Sequence, residues 1–292
     1  MAKTRADEYR NALESRYHPG ILAAMRKRVR IALAVLLVAI VGVIAWQVLR
    51  EREPVYQGKP LSVWLEGYTP DPKDHRPLVE QPQWKHADAA VRALGTNAIP
   101  SLLRMLRARD TPLKLTLVRL ARKQRLFKIS QTSAGELNMR ASEAFGSLGE
   151  NASNSVPALI QIYEENRSEA SQNAVVLALG SIGPAAGEAV RCLLGTVERS
   201  DFAIRHNAVG ALGEIHAQPR LVVPVLAKAL GDPDTMIRGA AACSLRDFGA
   251  DGKPAVPALL ELLKDTDEYA RGLAAEALKE IDPEAAAQAG VK

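Results

Sequence analysis

Side chains that could do chemistry near neutral pH are few in this chain. Five histidines (His18, His75, His86, His206 and His216) and two cysteines (Cys192 and Cys243) are spread over 292 residues. No histidines share the H-E-x-x-H spacing that sets two imidazoles on one helix face, so no zinc pair is expected. The run Gly249-Ala250-Asp251-Gly252-Lys253 imitates a phosphate loop, but its glycine spacing is wrong and Pro254 stands where the hydroxyl residue belongs. Gly146-Ser147-Leu148-Gly149 likewise misses the G-x-S-x-G nucleophile spacing. Glu164 and Glu165 are adjacent carboxylates at a helix end, exposed to water. The expectation is no catalytic constellation, no cofactor and no metal, so the chain is not expected to be an enzyme.

One cluster of charge remains. Within 112–128, Lys114, Arg119, Arg122, Lys123, Arg125 and Lys128 surround Leu113, Leu117, Val118 and Leu120, and Asp110-Thr111-Pro112 reads as a helix start. Three readings stay open for this basic amphipathic segment: an ordinary extra helix with a solvated basic face, a contact for anionic lipid headgroups, or a contact for an acidic partner or nucleic acid. The charge of the whole chain argues against a general nucleic-acid groove. Residues 101–140 hold ten basic and two acidic side chains, but residues 141–292 hold 13 basic and 21 acidic.

The elements that carry these residues follow a period. Leu179, Leu212, Leu245 and Leu278 recur every 33 residues, and Phe145 stands 34 before the first. Pro157, Arg191, Pro224 and Pro257 recur at 34, 33 and 33. Self-similarity at this interval marks an array of stacked helical pairs. The first helix of each pair shows a small, small, large, large stripe: Ala141/Ala144/Phe145/Leu148, Val175/Ala178/Leu179/Ile182, Ala208/Ala211/Leu212/Ile215, Ala241/Ser244/Leu245/Phe248 and Ala274/Ala277/Leu278/Ile281. The spacing i, i+3, i+4, i+7 puts each quartet on one face. A weaker copy is expected at Ala90/Ala93/Leu94. Glycines such as Gly146/Gly149 and Gly180/Gly183 should close these helices, and Val156-Pro157, Val223-Pro224 and Val256-Pro257 should open the second ones. His216 stands at the turn position that Gly149, Gly183 and Gly249 fill elsewhere. By the same period the two cysteines fall on non-neighbouring helices, so no disulfide is expected.

Ile237-Arg238-Gly239-Ala240-Ala241-Ala242-Cys243-Ser244-Leu245, followed by Ala255-Val256-Pro257-Ala258-Leu259-Leu260-Glu261-Leu262-Leu263, resembles a HEAT repeat of the short bacterial type found in phycobilin-lyase-like proteins. The resemblance extends over about 87–283. It implies an all-α solenoid of about five to six helical hairpins that acts as a scaffold. It also implies a ligand-facing surface on the second helices, here Gln161, Gly195, Lys228, Glu261 and Glu164, Glu198, Gly231, Lys264, which mix charge and carry no aromatic. Such families further stack Arg/Asp pairs into a ladder, and Asp201/Arg205, Asp234/Arg238 and Asp267/Arg271 fit one. Each Asp is placed to cap its helix. Ser168/Gln172 and Ala134/Asn138 break the pattern, so the ladder should stop near residue 200.

Residues 31–49 are 19 residues without a charge, nearly all apolar, about 28 Å as a helix, enough to cross a bilayer. The preceding segment, 1–30, holds eight basic and three acidic residues, which orients the N-terminus to the cytoplasm and the repeats to the outer face of the inner membrane. A cleaved leader ending near Val43 and Ala45 is the competing reading. Residues 50–82 hold six prolines and read as a linker interrupted by one amphipathic turn, Leu61/Trp64/Leu65/Tyr68. That turn either caps the array of residues 83–292 or meets a partner. The stretch Tyr56 to Leu65 also resembles the opening of membrane-anchored HEAT-repeat proteins. The functional expectation is a single-pass, non-catalytic adaptor for a protein partner. A phycobilin-lyase-like enzyme or chaperone is the alternative, and so is lipid or nucleic-acid binding through 112–128.

Overall fold

A computed structural model describes residues 53–112, 114–116, 132–165, 168–199 and 202–291, with the isolated positions Val29, Leu37, Val38 and Val41. The chain divides into two units, Met1–Arg52 and Glu53–Lys292. In the first, the four described residues are helical and at least 56% exposed. The remainder of the apolar segment 31–49 and of the basic tail 1–30 lies outside the described residues.

The second unit is all-α apart from a small hairpin, β1 (Val55–Tyr56) with β2 (Lys59–Pro60), antiparallel with Val55 opposite Pro60. α1 (Leu61–Leu65) runs into a 3-10 turn ending at Tyr68. Helix pairs follow: α2 (Pro82–Leu94) and α3 (Ile99–Leu106), α4 (Ala134–Leu148) and α5 (Val156–Glu164), α6 (Glu169–Ile182) and α7 (Val190–Val197), α8 (Phe202–Ile215) and α9 (Pro219–Ala229), α10 (Thr235–Asp247) and α11 (Val256–Leu262), α12 (Glu268–Ile281) and α13 (Pro283–Gln288). First helices pack on first helices along the array, and each second helix packs on the first helix that follows it.

The five quartets are the core. All twenty side chains are buried, none more than 4% exposed. Small residues at the leading positions let the axes approach, and Phe145, Leu179, Leu212 and Leu245 fill the space between them. The weak first copy lies in a different register from the expected one. Ala93 is exposed, and α2 buries Ala87, Ala90 and Val91 with Leu94 half-buried. That shift puts Leu94 directly before Gly95, as Leu148 stands before Gly149.

The turn glycines divide into two kinds. Gly95, Gly149, Gly183 and Gly249 follow their helices with positive φ of +56°, +53°, +74° and +49°, backbone that glycine reaches at least cost, and His216 occupies the same place at +49°. Histidine is one of the residues that tolerate this region, and its ring stacks on Phe248 with centroids 4.6 Å apart. Gly146 and Gly180 are not turn residues. They lie inside their helices, where Gly180 faces Ala211 and Glu214 of α8.

Pro157 and Pro257 sit in the first turn of α5 and α11, but Pro224 is internal to α9. This repeat lacks the 3-10 segment found at 149–155, 183–189 and 249–255, so its second helix begins a turn earlier, at Pro219. The run Glu169–Val197 is apolar and helical over a length that could cross a membrane, yet Gly183 breaks it into α6 and α7 and 56% of its most apolar stretch is buried in the array.

Within 53–82 the amphipathic turn is docked as a cap. Leu61, Leu65 and Tyr68 are at most 1% exposed, because α1 and its 3-10 turn dock on α2 and α4. Tyr68 stacks edge-on against Trp84, and its hydroxyl lies 2.5 Å from Ser147 Oγ. Arg140, itself buried, donates to Thr69 Oγ1 at 2.9 Å and pairs with Glu136 at 2.6 Å. An apolar helix face exposed at the end of a repeat array needs such a cover.

Candidate functional site

The basic segment is reached by the structure only at its start. Lys114 Nζ lies 2.6 Å from Asp110 Oδ1, so its charge is already matched. Asp110 Oδ2 also accepts the Ala134 amide at 3.0 Å, which closes the two ends of the insertion on one carboxylate. The lysine and that amide hold the Asp110 carboxyl below its usual range. Thr111 Oγ1 accepts from Lys114 N, as a helix start should. Arg119, Arg122, Lys123, Arg125 and Lys128 lie outside the described residues.

The arginine ladder exists, with different acidic partners from those the spacing suggested. Asp234 and Asp267 cap α10 and α12 through the amides of Met236 and Ala270; Asp201 lies outside the described residues. The arginines reach forward instead. Arg205 pairs with Asp232 at 3.2 Å and Arg238 with Asp265 at 2.8 Å, each 27 residues on. A D-x-D doublet, Asp232/Asp234 and Asp265/Asp267, was the available signal: its second Asp caps and its first receives the guanidinium. The period puts Arg199 where a further acceptor would stand, so the ion pairs end there.

The column itself continues with neutral side chains. Asn138 donates to the carbonyls of Met105 and Leu106, and Gln172 donates to that of Tyr163. Arg238 donates to Asp232 O and Pro233 O, and Arg271 to Asp265 O and Thr266 O. Each bonds carbonyl groups at the end of a second helix or in the loop after it, where the regular helical ladder stops. This column is structural stapling.

The Asp267 amide, and then Arg238, hold the Asp265 carboxyl below its ordinary value. A depressed carboxyl contributes stability that is complete above the unfolded value, near pH 4, and lost as pH falls through the folded one. Asp265→Asn is therefore expected to lower the urea midpoint at pH 7, with the gap to wild type closing in acid. A gap unchanged down to pH 2 would contradict the pairing.

Two shallow grooves open between successive second helices. One, of about 570 Å³, lies between α5 and α7 and is lined by Tyr163, Glu164, Glu188, Arg191, Cys192 and Arg199 among others. The other, about 630 Å³ between α9 and α11, includes Lys228, Gly231, Glu261 and Lys264, with the Arg238–Asp265 pair at its floor. The second-helix surface thus has an aromatic that the column reading missed. Tyr163 is almost buried, its hydroxyl lies 2.6 Å from Thr196 Oγ1, and Arg199 sits 5.7 Å from its ring centroid. Glu198 and Lys228 face each other at 3.4 Å.

Neither cysteine is paired, and burial pushes the Cys192 thiol up to about 11, with Glu164 adding to the shift. Burial raises Cys243 too. Both therefore stay protonated near neutral pH and are poor nucleophiles. Among the described residues no three His, Cys, Asp or Glu side chains gather as metal ligands.

Residues 156–246 and 223–289 match the family described as HEAT repeats. Residues 156–289 are HEAT repeats by that match. No curated protein matches it. Among solved structures, an engineered protein aligns at 17% identity over 76% of this chain and 96% of its own, with a TM-score of 0.41. A second engineered protein aligns at 18% identity over 79% of this chain and 71% of its own, with a TM-score of 0.40.

Proposed function

We propose that the protein is a non-catalytic adaptor that grips a polypeptide across the second-helix face, held at a membrane by residues 31–49. HEAT repeats in general mediate protein interactions. The observation that carries the reading here is the pair of grooves between α5 and α7 and between α9 and α11. They are open, shallow and lined by both acids and bases, with Tyr163, Arg191 and Arg199 in the first and Lys228, Glu261 and Lys264 in the second. A small molecule is usually engulfed in a mostly apolar pocket, whereas an extended chain can lay alternating polar groups along such a face. Arginine, exposed here at Arg191 and Arg199, is also among the side chains most often found at the energetic centre of interfaces.

The membrane part of the proposal rests on the 19 uncharged residues and their basic upstream flank. The described residues of that segment, Leu37, Val38 and Val41, are helical, apolar and exposed. Tested by photocrosslinking in intact cells, a reactive amino acid at Gly195 or Glu261 is expected to give a discrete adduct with another protein. The same amino acid at Glu280, on a first helix, is expected to give none. Equal labelling from both faces, or none from either, would overturn the second-helix reading.

A further inference from the structure

Three side chains at the cap do nothing for the array. Leu61, Leu65 and Tyr68 supply the buried face of α1 and its turn. Val63, two residues from each of those leucines, points the opposite way and is 44% exposed. Trp64 and Tyr56 make no part of the buried core either. They pack on each other with ring centroids 5.9 Å apart, the indole Nε1 donates to Tyr56 O at 3.0 Å, and Lys59 Nζ sits 4.9 Å above the indole. The result is a tip of one exposed aliphatic side chain, two half-buried amphipathic aromatics and one exposed cation. This combination suits the boundary between acyl chains and headgroups, where aromatic rings and a lysine can each meet a favourable layer.

The tip lies at the point where the chain enters the unit. Pro54 O accepts the Leu61 amide at 2.9 Å, and Glu53 Oε2 accepts that of Ser62 at 3.2 Å. Glu53 is four residues after Leu49, the end of the apolar segment, and four residues reach at most about 14 Å. A headgroup layer is about 5–8 Å deep. If 31–49 spans the bilayer, the covalent chain by itself keeps Glu53 within about 6–9 Å of the outer edge of the headgroup layer, and the tip folded against it within reach of lipid.

We infer that the Tyr56/Lys59/Val63/Trp64 tip is a second membrane contact, seated in the headgroup layer and fixing the stance of the repeats. The inference rests on the proposed anchor, and the test separates the two. The full-length protein is reconstituted into phosphatidylcholine vesicles whose acyl chains carry bromine at a shallow or a deep position. Its tryptophans are Trp46, Trp64 and Trp84. Trp46→Phe compared with Trp46→Phe/Trp64→Phe isolates Trp64 emission, and Trp64→Phe compared with the same double variant isolates Trp46 at the outer end of the anchor. Trp64 emission is expected to be lost more with shallow than with deep bromine and to be recovered in Val63→Glu, a change on the outward face that leaves the docked leucines alone. Trp46 quenched with Trp64 untouched would overturn the contact while leaving the anchor. Neither quenched would remove the anchor, and the inference with it.

Discussion

Phe145→Ala is expected to destabilise the protein by about 3–5 kcal/mol, the largest effect of any single substitution considered. The ring is fully buried, in the helix that meets α1, α2 and α3 on one side and α6 on the other. Removing it leaves a cavity at the junction between the capped end and the rest of the array. In a repeat protein each unit is stabilised through its neighbours, so the damage should be local before it is global. Hydrogen exchange followed by mass spectrometry should show protection lost first across 53–148, with 202–291 retaining most of theirs. A uniform loss along the chain, or a urea midpoint close to wild type, would show that α4 is not the junction described.

Two glycines three residues apart in α8 are expected to respond to alanine with opposite sign. A Cβ on Gly213 would lie 2.6 Å from Ser244 Oγ, 2.7 Å from its Cβ and 2.8 Å from its Cα. The last is backbone, so α8 and α10 must separate, and the bond from Ser244 to Val209 O at 3.0 Å is strained with them. Overpacking of this kind costs about 1–3 kcal/mol. A Cβ on Gly210 meets nothing within 4 Å, and alanine there should gain about 0.5–1 kcal/mol from its better helix propensity. Urea midpoints of the two variants, measured side by side, test the helix-to-helix spacing directly. Two shifts of the same sign would contradict it.

The difference between those glycines was invisible in the sequence, where both are small residues inside a helix. The same limit explains the ladder. The Asp-to-Arg spacing of four was legible, and so were the caps it implies. The partner of each arginine was not, because it comes from the next repeat and depends on how the pairs are stacked. Gly146 and Gly180 were read as turn residues because they precede the turn by three positions, and only backbone φ distinguishes them from Gly149 and Gly183. The amphipathic turn Leu61/Trp64/Leu65/Tyr68 was legible inside the proline-rich segment, but whether it caps the array or meets a partner was not, because the helices it docks on, α2 and α4, lie later in the chain.

The sequence by itself determined the helical period, the five buried quartets, the phase of the repeats and the absence of any familiar catalytic spacing. These are properties of a helix face, which is a local, periodic object with one side turned to a core. Only the tertiary structure decided the register of the first helix, the acidic partner of each arginine, the docking of the cap and the two grooves between second helices. These all arise between elements, where a shift of one turn changes the contacts while leaving the periodicity of each helix untouched.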